Sequence, residues 1–152
     1  MHVSWSGAPS TGYLVWRLAL KWRAAVDRAV RPLGLTHAQY SLLASLFGLT
    51  RSGKAPSQRE LSDFCGLEPV YVSKLAQNLA RAGLVERLDH PSDPRAFSLR
   101  LTAHGQDVVE QAIAIVAQLQ DQLTQPIGGP HSDRGRQLVD TLRTLLREGE
   151  PS

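Results

Sequence analysis

The feature that most constrains this chain is a run of four punctuated elements between Ser57 and Leu101. Ser57-x-x-Glu60 fits a capping box, in which a serine hydroxyl and a glutamate carboxylate satisfy free N–H groups at a helix start. Leu61 and Phe64 supply that short helix with its apolar side, and Gly66 ends it. Pro69 then restarts the chain at a first helical position, where its missing N–H is not needed. Val72, Leu75, Ala76 and Leu79 share one face of the second helix, which stops at Gly83. Two helices joined by a short Gly-containing turn are a helix-turn-helix. The period next changes. Residues 84–88 and 97–101 read as strands, the second alternating strictly, and DHPSDPRA between them is a turn or extended loop. A hairpin directly after the second helix is a wing.

Helices flank this lobe on both sides. Residues 1–10 read as a flexible leader. Over 11–31, Leu14, Leu18, Trp22, Val26, Ala29 and Val30 recur at helical spacing, with Arg17, Lys21, Arg28 and Arg31 on another face. Pro32 and Gly34 end that helix. Thr36-x-x-Gln39 is a second capping box. It opens a mostly buried helix through Tyr40, Leu42, Leu43, Leu46 and Phe47, closed by Gly48, with 50–56 a loop. Thr102 caps a long helix carrying Val108, Val109, Ala112, Ile113, Val116, Leu119 and Leu123. The segment 126–132 breaks it, and a final amphipathic helix follows with Leu138, Val139, Leu142, Leu145 and Leu146. The expected fold is mainly α with a small β-hairpin wing. Residues 35–101 form the winged helix-turn-helix lobe, and 11–34 with 102–148 form a terminal helical region.

Composition excludes several classes. With 42% hydrophobic and 20% charged residues, a chain of 152 can build a core and is not disordered. No apolar run reaches the length of a membrane span, and no signal peptide opens the chain, so a cytoplasmic location is the default. Cys65, the single cysteine, cannot form a disulfide framework or a zinc site alone. His2, His37, His90, His104 and His131 are scattered without ligand spacing, so no metal or other cofactor is expected. There is no nucleophile elbow, P-loop or dinucleotide fingerprint, which argues against an enzyme. The net charge of +3 permits nucleic-acid binding without establishing it, because residues 51–100 carry eight basic against six acidic groups.

The passages SKLAQNLARAGLVER, DHPSDPRA and LTAHG, in this order and spacing, resemble the DNA-binding core of MarR-type regulators. The flanking helices fit too, so the resemblance covers nearly the whole chain. It implies an obligate homodimer built by the terminal helices. It also implies binding to pseudo-palindromic operators in double-stranded DNA, usually as a repressor, with release by a small molecule or an oxidant. A winged helix serving only as a protein-interaction module is the competing reading.

On the second helix, the face opposite Leu75 and Leu79 carries Val70, Ser73, Lys74 and Gln77, with Tyr71 on its flank. These five are the expected base-reading residues, because the N-terminal part of a recognition helix enters the major groove. Asn78 and Arg81 lie further along, as expected phosphate contacts. An ordinary solvated face is the plainer account of each. Ser57 and Gln58 begin the first helix, where N–H groups suit a phosphate; a simple cap also suffices for Ser57. Arg51 and Lys54 are further backbone candidates. In the resemblance, Asp93 holds the wing loop and Arg95 projects toward the minor groove, against the alternative of a surface ion pair. Tyr13, Trp16, His37 and Tyr40 could line a pocket for a small aromatic effector or could be dimer-interface core. Cys65, in an apolar setting, reads as a buried free cysteine rather than a redox sensor.

Overall fold

The computed structural model describes residues 10–53, 55–90, 92–93 and 96–148. Six α-helices run through them in order: α1 (Thr11–Val30), α2 (His37–Leu49), α3 (Gln58–Cys65), α4 (Pro69–Arg81), α5 (Ala103–Thr124) and α6 (Asp133–Glu148). Two strands, β1 (Val85–Leu88) and β2 (Ser98–Leu101), pair antiparallel between α4 and α5, with Val85 opposite Leu101 and Leu88 opposite Ser98. The chain divides into two compact units after Ile113, so α5 runs across the division.

The first unit is built around α2. Leu42, Leu43 and Leu46 are fully buried there, and α1, α3, α4 and β2 all pack on this helix. Each such leucine contributes about 2 kcal/mol relative to exposure, so α2 is a central packing element of the lobe. Both capping boxes form. Thr36 Oγ1 accepts from Gln39 N at 3.2 Å while Gln39 Oε1 accepts from Thr36 N at 2.9 Å. Ser57 Oγ and Glu60 Oε1 make the same exchange at 3.1 Å each.

Two local expectations are corrected. The second helix passes through Gly48 to Leu49 and continues as a 3-10 turn over Thr50–Ser52, so the expected loop 50–56 begins as helix. The Thr50 hydroxyl donates to the Leu46 carbonyl at 2.8 Å and covers the helix end that Gly48 was expected to make. On α3, Leu61 is buried but Phe64 is 61% exposed, and Ser62 turns inward instead. The Ser62 hydroxyl donates to the Leu67 carbonyl at 2.5 Å, tying the helix to the turn that follows.

In the second unit, a 3-10 turn at Gln125–Ile127 and the glycine pair behind it end α5. Ser132 holds the turn by donating to Gly129 O at 2.7 Å and accepting from Gly135 N at 3.0 Å. Among the described residues, no helix is long and apolar enough to cross a membrane.

Candidate nucleic-acid interface

The α3–α4 corner depends on Gly66, whose φ of 71° lies in the left-handed region that a β-carbon disfavours. Its N–H donates to Ser62 O at 2.9 Å, closing α3. Glu68 then leads into α4 with Pro69 in its first turn. A further tie spans the two helix starts, since Gln58 Nε2 donates to the Pro69 carbonyl at 2.7 Å. Gln58 therefore braces the start of α4, and Ser57 is occupied by its capping box.

The exposed side of α4 carries the residues expected there. Val72, Leu75, Ala76 and Leu79 are buried, while Val70 is 72% exposed, Tyr71 41%, and Lys74, Gln77, Asn78 and Arg81 also face outward. Ser73 is half-buried. Arg81 Nη2 donates to Asn78 Oδ1 at 3.1 Å, so these two form one polar unit at the far end of the helix. An exposed valine and tyrosine opening a helix, followed by amide and ammonium groups, form a surface that can meet both methyl groups and base-edge acceptors.

The wing stands beside this face on more than its own hairpin. The segment before α3 pairs with β2: Leu99 N donates to Pro56 O at 3.1 Å, and Gln58 N donates to Phe97 O at 2.9 Å. A bridge between Ser57 and Ser98 continues the pairing. This short extended segment, which no sequence period marked, fixes the start of α3 against the wing. On the outer side, Arg100 Nη2 pairs with Glu86 Oε2 at 2.9 Å across the strands. Near the tip, Asp93 O accepts from Ala96 N at 3.0 Å. Arg95 and Lys54 lie outside the described residues. Arg51 is exposed in the 3-10 turn.

Arg87 lines a groove with Gln58, Val70, Ser73 and Lys74. Its guanidinium lies 4.0 Å from the centroid of the Phe97 ring, and its Nε donates to Asp89 Oδ1 at 2.9 Å. The signal for it in the sequence was its place in the alternation, an arginine on the inward row of a strand.

The four aromatic-pocket residues are not brought together as expected. Tyr13 and Trp16 are exposed on α1, 37% and 59%. His37 instead lines a cavity of about 170 Å³ with Arg23, Ser41, Cys65 and Tyr71, which Tyr40 does not join. Tyr40 is half-buried, and burial raises its phenol pKa. Cys65 is half-buried rather than enclosed, with Sγ against Leu61 O at 2.7 Å. Burial pushes its thiol pKa up, which disfavours the reactive thiolate. Among the described residues, no group of three or more histidine, cysteine or acidic side chains could hold a metal.

The ArnR1-like winged-helix domain family matches residues 33–118. The HTH-type transcriptional regulator YdcH of Bacillus subtilis is 32% identical over 119 residues, spanning 78% of this chain and 81% of that protein. The M. tuberculosis transcriptional regulator MosR, in complex with DNA, is 26% identical with a TM-score of 0.70, covering 94% of this chain and all of that one. An E. coli MarR mutant complexed with operator DNA is 27% identical, also at a TM-score of 0.70, covering 92% and 93%. The chain belongs to the MarR-type winged-helix transcriptional regulators. The α3 start, the α4 face and the wing lie within one compact unit.

Proposed function

We propose that the protein binds a pseudo-palindromic operator as a homodimer, represses transcription there, and lets go when a small molecule binds. The observation that carries this reading is the outward face of α4, polar but opened by exposed Val70 and Tyr71, standing beside a braced wing. Val70, Tyr71, Ser73, Lys74 and Gln77 read base edges in the major groove. Asn78 and Arg81, with Ser57 and Gln58 at the start of α3 and Arg51 and Lys54 before it, meet the backbone. Asp93 shapes the wing and Arg95 enters the minor groove. The DNA complexes of MosR and of the MarR mutant support the same use of this fold. The protein acts by binding, without a catalytic step, and it works in the cytoplasm.

Dimerisation is supported by apolar side chains that the single chain leaves in water. Leu14, Trp16 and Leu18 on α1, and Val139, Leu142, Leu145 and Leu146 on α6, are all at least 42% exposed. Two amphipathic helices with uncovered apolar sides fit an isologous pairing of two copies. The effector's place is the cavity between Arg23, His37 and Tyr71, which offers a cation, an imidazole and a phenol to a small aromatic acid.

Selection of bound duplexes from a random-sequence pool tests the reading. The expected outcome is enrichment of one motif repeated with two-fold symmetry. Arg95→Ala should then weaken binding to that duplex by about tenfold or more while the dimer persists. Recovery of unrelated sequences, or an unchanged affinity of the variant, would contradict the operator reading or the wing's role respectively.

A further inference from the structure

Val70, Ser73, Lys74 and Gln77 follow one another at helical spacing along one side of α4. The last three carry hydrogen-bonding groups, and Val70 carries none. At 72% exposure it is nevertheless the most exposed large apolar side chain among the described residues. Pro69 beside it is exposed too, so the two make an apolar step at the start of the helix. That step borders a groove of about 470 Å³ that runs to Phe97 at the foot of the wing. Arg87 also lines the groove, but Asp89 and the Phe97 ring already hold its guanidinium. At its Val70 end the groove offers shape and apolar surface, while the charge of Lys74 stands one turn further along α4.

A β-branched side chain keeps one strongly preferred rotamer in a helix. Val70 therefore holds its methyl groups in one direction and loses little freedom when covered. Base edges in the major groove are lined with donors and acceptors, and the 5-methyl of thymine is their one apolar group. Over a cytosine, the valine would cover the N4 amino donor and give it no partner. Over a thymine, methyl meets methyl and water leaves apolar surface on both sides. We infer that Val70 reads one thymine in each operator half-site by packing on its 5-methyl group. The duplex recognised thus carries an A·T pair there, oriented with its thymine toward the start of α4. Discrimination at that pair rests on shape rather than on a hydrogen bond.

The contact rests on the proposed operator binding, and one experiment separates the two. A duplex recovered from the random pool is remade with each thymine replaced singly by deoxyuridine, which removes the methyl group and keeps the pairing edge. Wild-type protein and Val70→Ala are titrated onto every duplex by fluorescence anisotropy. Wild type should lose about fourfold in affinity at one thymine per half-site, the worth of one buried methyl group. Val70→Ala should bind the parent duplex more weakly by a comparable factor. It should also be indifferent to deoxyuridine at that same position, because the two changes remove one shared contact. Equal wild-type affinities across the whole deoxyuridine set would overturn the methyl contact, and this arm needs no variant to fold. An equal penalty in both proteins would overturn the assignment to Val70 and give the methyl group to another side chain. A recovered motif with no fixed A·T pair would overturn the contact as well. Failure of wild type to bind any duplex would overturn the operator reading itself, and the contact with it.

Discussion

At the scale of single residues, His37 shows how burial turns into a pH response. It sits at the start of α2, where its N–H donates to Asp27 Oδ1 at 2.9 Å and its ring lines the small cavity. Burial lowers its pKa, the Arg23 charge lowers it further, and Asp27 opposes both. The folded protein therefore holds fewer protons here than the unfolded chain does. The associated stability is fully present above the ordinary histidine value of 6.5 and is lost as pH falls from there through the lowered folded pKa. Thermal unfolding should accordingly show wild type losing stability below about pH 6.5, with His37→Gln losing less over the same interval. Parallel curves for the two proteins would contradict a half-buried imidazole whose charged form is disfavoured. In the sequence, His37 was visible as a polar residue in a first turn. Its neighbours Arg23, Cys65 and Tyr71 were not, because they come from three other helices and share no spacing.

At the scale of elements, local chemistry was the most legible part. Both capping boxes, the Gly66 corner and the Pro69 restart depend on residues within four positions of one another, so sequence spacing alone specifies them. Contacts between distant segments were hidden. The pairing of residues 56–58 with β2 leaves no period in a three-residue segment, and the inward turn of Ser62 at the expense of Phe64 depends on what Leu67 accepts. Another such contact joins the start of α5 to the turn that follows α4. Thr102 Oγ1 donates to Gly83 O at 2.6 Å and accepts from Gly105 N at 2.9 Å. A β-carbon at Gly105 would overlap the Leu84 carbonyl oxygen and come within 2.8 Å of its carbon. Backbone on both sides leaves nothing flexible to move. Gly105→Ala should cost about 2–3 kcal/mol in urea unfolding, the usual scale for forcing extra volume into a packed site. A midpoint equal to wild type would contradict the close approach.

At the scale of the whole molecule, α1 and α6 carry most of the exposed large apolar residues among those described. All ten residues from Thr11 to Leu20 are exposed, as are the four apolar residues Val139, Leu142, Leu145 and Leu146. The amphipathic pattern was plain in the sequence, but a pattern cannot say whether its own chain or a second copy covers it. Replacing Leu142 and Leu145 together by Glu should convert a dimer into monomers in sedimentation velocity. The same change should weaken operator binding, since a monomer engages only one half-site. A double variant that remains dimeric would move the interface away from α6. The central claim concerns DNA, and salt tests it most directly. Wild-type protein titrated onto the selected duplex between about 50 and 200 mM salt should lose affinity steeply, along a straight log–log line set by the phosphates it neutralises. A flat response over that range would contradict the account and mark the winged helix as a protein-interaction module.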